Sequence, residues 1–249
     1  MRHTSRNRAR LLLTVLSGGG GFSPSFISGY TIDYDFADTS TLYQDSAKTT
    51  PVTSDNDVIG AVENKANPGT LDATQGTTAS KPVWRSGGYA EADGTDDALV
   101  VGSLTSAFTS AATGFILFNM PGTDSNDDHV WIFRGATGNY HWGYVFGSKT
   151  DVYDGFMSAS RSLVSTTAGV AGTHIVTARN NGTNLLYRID GNQTYDAANS
   201  FLSDTGSLFN NASSFSNGSI YRVILYNRAL STDEITQVEN YLNSIVSVF

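Results

Sequence analysis

Carboxylates are the most numerous reactive groups in this chain, 23 in all, and their spacing decides what chemistry they could do. Cleaving a glycosidic bond takes two carboxyls set across it, one as acid and one as base or nucleophile. Only four glutamates are present: Glu63, Glu91, Glu234 and Glu239. Glu234 follows Ser231 by three residues, the spacing of a capping box, and Glu239 falls on the polar face of the same predicted helix. The aspartates are denser. Asp93, Asp96 and Asp97 crowd into ADGTDDAL, and Asp124, Asp127 and Asp128 into GTDSNDDH. Calcium takes six to eight oxygen ligands, so such loops could contribute to a site, and Asp124, Asp127 and Asp128 form the candidate set. Neither run has the spacing of an EF-hand. Short acids that brace turn backbone between strands account for both runs without a metal.

Other reactive groups are sparse. The histidines are His3, His129, His141 and His174, with no pair at the helical i, i+4 spacing of a zinc hydrolase. A Gly-x-Ser-x-Gly elbow is absent, as is the Gly-Lys of a phosphate-binding loop. Cysteine is absent too, which excludes disulfides, thiolate metal sites and a cysteine nucleophile. The reading is of a protein that is not an enzyme. Aromatics gather in the middle of the chain as Trp131, Tyr140, His141, Trp142, Tyr144 and Tyr153. Sugar rings stack on aromatic faces, so Tyr140, His141 and Trp142 are candidate glycan contacts. Trp131 reads instead as core, the commoner fate of aromatics that alternate along strands.

The elements that must position these groups are strands. From Tyr30 onward, short apolar runs are separated by Gly, Asn, Asp and Ser, the texture of a β-sandwich. Predicted strands are 31–36, 98–101, 114–119, 129–135, 140–147, 155–159, 174–179, 185–190 and 220–226. Asn181-Gly182 suits a tight hairpin, and Asp190-Gly191-Asn192 another turn. His174 opens a core strand and reads as a hydrogen-bonded structural residue. Residues 37–97 are polar, and long loops with one or two short strands are expected there. The one predicted helix closes the chain, with Ile235, Val238, Tyr241, Leu242 and Ile245 on its apolar face.

At 249 residues the chain is long enough for one large β domain with a core that needs no covalent staples. Its net charge of −8 is uneven. Arg2, Arg6, Arg8 and Arg10 place four of the fifteen basic residues in the first ten positions, which leaves 11 basic against 23 acidic residues elsewhere. An acidic body argues against nucleic-acid binding. No apolar run approaches the roughly 20 residues of a membrane-spanning helix. The start has the outline of a signal peptide, but the apolar run Leu11 to Leu16 is short and no small-x-small cleavage site follows. Residues 1–29 read better as an arm: basic head, Gly18 to Gly21 as hinge, then Phe22, Phe26 and Ile27 as side chains for a partner to cover. The domain proper is expected at 30–249.

IYRVILYNRALSTDEITQVENYL (Ile220 to Leu242) and HIVTARNNGTNLLYRIDGN (His174 to Asn192) resemble laminin-G-like, concanavalin A-like jelly-roll domains, with Tyr187, Asp190 and Gly191 at the family's pattern positions. Upstream, YDFADTSTLYQDSAKTTPVT (Tyr34 to Thr53), KPVWRSGGYAEADGTDDALVV (Lys81 to Val101) and the leader GGGFSP resemble such domains in tailed-bacteriophage and prophage virion proteins. IDYDFADTS (Ile32 to Ser40) departs from the family's usual opening strand. The resemblance implies an all-β concanavalin A-like sandwich with one short C-terminal helix and an extended N-terminal arm. It implies a non-enzymatic virion structural protein, a decoration, head-fibre or tail-associated subunit, expected as a homo-oligomer. Its arm would dock on capsid or tail subunits. The alternative it allows is a carbohydrate-binding module for host polysaccharide, and behind that a glycan depolymerase. Depolymerases of this fold carry a strand-borne Glu-x-Asp-x-x-Glu, which this chain lacks. No cofactor is implied, calcium apart.

Overall fold

The computed structural model describes residues 21–104, 107–108, 111–120, 128–129, 131–134, 144–146, 151–154, 162–165, 172–198, 205–211, 214–215 and 217–249. Arg2, Arg6, Arg8, Arg10, Asp124, Asp127, Tyr140, His141 and Trp142 lie outside the described residues, as does the predicted strand 155–159. Asp128 is described only as the start of the strand Asp128–His129.

Two antiparallel sheets face each other across one core. The larger runs, in spatial order, through Asn192–Ala198, Asn184–Ile189, Gly172–Asn180, Ala112–Met120, Ser219–Tyr226, Tyr89–Glu91 and Val83–Arg85, with Tyr30–Asp35 also paired to Ser219–Tyr226. The second runs through Trp131–Arg134, Thr205–Leu208, Leu99–Ser103, Ala73–Thr74, Ala61–Val62 and Leu42–Tyr43. Alternation along each strand fills the space between them: Ile32, Tyr34, Phe36, Ile116, Val176, Ala178, Tyr187, Val223 and Leu225 from one side meet Leu42, Val62, Ala73, Leu99, Val101 and Leu208 from the other. Further strands form a four-stranded sheet and a two-stranded ribbon.

Most predicted strands that fall on described residues are present, with ends moved by a residue or two, but 129–135 is divided into Asp128–His129 and Trp131–Arg134, which join different sheets, and of 140–147 the strand Tyr144–Phe146 is described. Residues 37–97 differ more. Five short strands lie there, Leu42–Tyr43, Ala61–Val62, Ala73–Thr74, Val83–Arg85 and Tyr89–Glu91. They are only two or three residues long, so their periodicity is lost among polar neighbours. Of the predicted turns, 181–183 links two paired strands, and Asp190 and Gly191 both take positive φ, 50° and 75°, to turn the chain in two residues.

The outer face of the large sheet carries the closing helix, Thr232–Ile245. Its capping box is complete: Ser231 Oγ accepts from Glu234 N–H, and the Glu234 carboxylate accepts from Ser231 N–H at 2.8 Å. Arg228 adds two further bonds to that carboxylate. Ile235, Val238 and Leu242 then bury against Phe115, Leu117, Ile175 and Ile224 of the sheet. Two helix positions depart from the sequence reading. Ile245, expected on the buried face, is 38% exposed because it sits at the last turn, past the sheet residues that cover the others. Glu239, expected on the solvent face, is only 2% exposed. The sheet beneath it is polar: Thr177 donates to one carboxylate oxygen and Arg188 to the other, each at 2.8 Å.

The segment before Tyr30 also corrects the sequence reading. Ser23 caps a short 3-10 turn, Pro24–Phe26. The Tyr226 hydroxyl donates to the Pro24 carbonyl at 2.9 Å, and Arg228 to that of Ser28. Phe22 packs edge-on against Tyr241, ring centroids 5.9 Å apart, and Ile27 is 7% exposed within the helix–sheet layer. Phe22 and Ile27 therefore complete their own domain and are not held out for a partner, because the outer sheet face and the closing helix leave an apolar gap they fill. Phe26, at 73% exposure, is the member of the expected docking set that faces solvent.

Candidate binding cleft

The strand Ser219–Tyr226 organises two charged regions on the outer face. A bulge between Ile220 and Arg222 resets its alternation. Beyond the bulge, Arg222 points toward the helix. Before it, Ser219 and Ile220 pair with Tyr89–Glu91, and Tyr221 stands at the junction.

On the helix side the ions are matched, and Asp33, Asp35 and Arg222 are buried. Arg222 grips Asp33 with two bonds, 2.8 and 2.6 Å, and reaches Asp35 at 2.8 Å and the Tyr241 hydroxyl at 2.6 Å. Lys65 closes the set on Asp35 and Asp38, at 3.0 and 2.7 Å. Tyr30 donates to Asp33, and burial together with the Asp33 charge drives its phenol pKa upward, so it stays protonated. This constellation holds the Tyr30–Asp35 strand to the central strand and the helix.

At the other end of the face lies a cleft of about 480 Å³. Lys81, Arg85, Glu91, Asp93, Asp97 and Asn217 line it. The hairpin Val83–Arg85/Tyr89–Glu91 supplies its floor: Val83 pairs with Glu91 and Arg85 with Tyr89, so all four project to one side. Gly88, at φ 78°, makes the turn between them. Arg85 bonds Glu91 and Asn56 and lies 3.8 Å from Asp55. Tyr89 and Tyr221 stand beside the cleft as a tilted pair, centroids 5.1 Å apart, both half-buried.

The loop at the cleft's rim gathers Asp93, Asp96 and Asp97, with one carboxylate oxygen of each within 4.8 Å of the others. Burial, then the charges of Asp93 and Asp96, push the Asp97 carboxyl up to about 6, against an opposing bond from Asp93 N–H. The three acids also brace the loop: Asp97 accepts from Asp93 N–H, Asp93 from Thr95 N–H and Asp96 from Ser80 Oγ, at 2.8 to 2.9 Å. That is the turn-bracing role read from the sequence. The cleft's residues carry more negative than positive charge and offer hydrogen-bonding edges, with the Tyr89–Tyr221 pair outside the lining on the neighbouring strands. Such a surface suits a polar, hydroxyl-rich ligand.

The sequence reading missed this assembly. Its glycan and calcium candidates, Tyr140, His141, Trp142, Asp124, Asp127 and the Asp128 side chain, fall outside the described residues. The available signal was the alternation Val83-Trp84-Arg85 and Tyr89-Ala90-Glu91 about Gly87-Gly88, which turns Trp84 and Ala90 inward and the others outward. His174 is placed as expected: Nδ1 lies 2.8 Å from Asp190 Oδ2.

No protein-family model matches the chain, and no curated protein matches it. Solved structures do. The sialidase of Trypanosoma rangeli, in complex with 2,3-difluorosialic acid as a covalent intermediate, aligns at TM-score 0.60 and 13% identity over 96% of this chain and 36% of that one. The binding domain of botulinum neurotoxin DC, in complex with rat synaptotagmin II, aligns at TM-score 0.56 and 12% identity over 88% of this chain and 52% of that one. The fold is a concanavalin A-like β-sandwich. The chain spans about a third to a half of the length of these structures, and at such identity the likeness is one of fold.

Proposed function

We propose that this concanavalin A-like domain is a non-catalytic binding module that recognises a glycan through the cleft between Arg85, Glu91 and Asn217. The observation that carries the reading is a polar cleft whose floor hairpin also carries Tyr89, paired with Tyr221, so that hydrogen-bonding edges and aromatic faces share neighbouring strands. The fold neighbours support it by analogy, one in complex with 2,3-difluorosialic acid and the other a binding domain in complex with rat synaptotagmin II. The non-catalytic part rests on the glutamates. Each has a structural partner: Glu63 pairs with Lys48, Glu91 with Arg85, Glu234 with the helix cap, and Glu239 with Thr177 and Arg188.

A glycan array probed with the purified chain tests this. Binding to at least one bacterial surface polysaccharide is expected, with Arg85→Ala and Tyr89→Ala each weakening it about tenfold or more, as loss of a charged hydrogen bond or a stacked ring does. Absence of binding across the array, or binding that both variants retain, overturns the reading. Release of reducing sugar from a bound polysaccharide overturns the non-catalytic part alone.

The setting is proposed from the resemblance in residues 19–101. The domain would be displayed on a tailed-phage virion, with Arg2, Arg6, Arg8 and Arg10 pairing to an acidic groove on a capsid or tail subunit. The anchoring of Phe22–Ile27 favours this, since it makes the leader depart from a fixed point on the domain. Multivalent display makes weak glycan contacts effective. Deleting residues 1–21 should leave folding intact and abolish incorporation into particles. Normal incorporation of the truncated chain defeats the arm's role.

A further inference from the structure

Two Asn-Gly pairs occur among the described residues, Asn181-Gly182 and Asn217-Gly218, and both are exposed at the asparagine. Asn-Gly is the dipeptide in which the following backbone nitrogen most easily reaches the side-chain carbonyl carbon, since glycine puts no Cβ in the way. The two sites are built differently.

At the first, both reacting groups are engaged. Gly182 N–H donates to Asn180 Oδ1 at 2.8 Å. Asn181 Oδ1 accepts from Thr183 N–H, Thr183 Oγ1 and Asn184 N–H, at 3.0, 2.9 and 2.7 Å, which fixes the carboxamide in a hairpin turn. At the second, among the described residues no hydrogen bond reaches the Asn217 carboxamide or leaves Gly218 N–H. Among the described residues, the backbone bond at Gly218 uses its carbonyl, which accepts from Ala92 N–H at 3.0 Å.

We infer that Asn217 is a site of spontaneous deamidation on the wall of the cleft, while Asn181 is protected. The step needs only water. Gly218 N attacks Asn217 Cγ and loses its proton, the C–N bond of the carboxamide breaks, and ammonia leaves. Water then opens the resulting succinimide at either carbonyl, giving aspartate or isoaspartate. The consequence is local to the cleft. Asn217 lines it together with Asp93 and Asp97, so each event adds a carboxylate to a rim already in surplus of negative charge. Isoaspartate also adds a carbon to the backbone where the chain is closely packed: a Cβ built at Gly94 would fall 2.9 Å from Asn217 Cβ. The aspartate loop therefore has little room to absorb the longer chain.

The test is peptide mapping by mass spectrometry of the full chain, incubated folded at mildly alkaline pH, beside the same chain unfolded in denaturant. In the unfolded chain both sites should convert at similar rates. In the folded chain conversion at Asn217 should exceed that at Asn181 about tenfold, the order expected when one attacking N–H must first leave a hydrogen bond and the other need not. Gly218→Ala should slow conversion at Asn217, and Asn180→Ala should release Asn181. Conversion of Asn181 as fast as Asn217 in the folded chain overturns the inference, as does an Asn217 that stays intact while Asn181 converts or while both convert on unfolding.

Discussion

The outer face of the large sheet holds two charged regions joined by one strand, and they differ in how their charges are balanced. Around Arg222, the central ions are buried and face partners of opposite sign, with Lys65 and Asp38 half-exposed at the edge: Asp33 is fully inaccessible and takes two bonds from one guanidinium. Around Arg85, the ions other than Asp97 are partly exposed, Arg85 is shared among three partners, and among the described residues Asp93, Asp96 and Asp97 pair with no cation. The first arrangement is complete without a ligand. The second has unused hydrogen-bonding capacity and uncompensated charge, and those are what a ligand can satisfy. A charge out of water must be matched from within the protein or give up its ionised form; Asp33 takes the first course, and Asp97, pushed up to about 6, leans toward the second.

The strongest test of the difference is Arg222→Met. It leaves Asp33 buried without its cation and Asp35 with Lys65 alone, and the expected loss is about 3–5 kcal/mol in urea unfolding. A loss under about 1 kcal/mol, the range of an exposed pair, would erase the distinction between the regions. Next is Ile27→Ala, which opens a cavity between the N-terminal segment and the helix layer. A loss of about 2–4 kcal/mol is expected. If unfolding is unchanged, Ile27 belongs functionally to the leader after all, and the matched region ends at Tyr30.

The contrast was only partly legible in the sequence. The closing strand and helix were readable because β-branched residues, the capping box and a three-four apolar spacing all agree there. Glu239 was misread because helix periodicity reports which face is apolar, and cannot report that the sheet below offers Thr177 and Arg188. Phe22 and Ile27 looked like orphans because the surface they fill comes from residues two hundred positions away. The cleft was hidden for a related reason. Its floor is a hairpin of two three-residue strands, whose brief alternation is easily lost among polar neighbours, and the adjoining Tyr89–Tyr221 pair forms only through strand pairing.

A smaller effect is expected at Asp97→Asn. The folded-state carboxyl titrates at about 6 against an ordinary value of 3.8, so the folded protein holds this proton more tightly than the unfolded chain. Below about pH 4 the group is protonated in both states and contributes nothing. Its cost grows as pH rises through the window from about 4 to 6 and is constant above it. The asparagine keeps an acceptor for Asp93 N–H and carries no charge, so it should raise stability by roughly 1 kcal/mol at neutral pH, after allowance for screening, and by nothing in acid. Melting temperature followed against pH checks both limbs. A variant less stable than the parent at neutral pH would mean that the Asp97 charge is matched, and would place the cleft with the Arg222 region.

The smallest effect on stability, and the most informative, belongs to Arg85→Ala. Its ion pair with Glu91 joins side chains 30% and 40% exposed, where such pairs contribute about 0–1 kcal/mol. Unfolding should therefore shift by no more than about 0.5 kcal/mol, while glycan binding falls about tenfold or more. The same kind of change, removal of one arginine from the same sheet face, would then read out as stability at position 222 and as binding at position 85. If Arg85→Ala instead destabilises the fold as Arg222→Met does, the guanidinium serves to tie the Asn56 and Glu91 backbones together, and the cleft is a by-product of the hairpin. If it changes neither quantity, Tyr89 and Tyr221 bound a surface that nothing uses, and the binding face must be sought elsewhere on the sandwich.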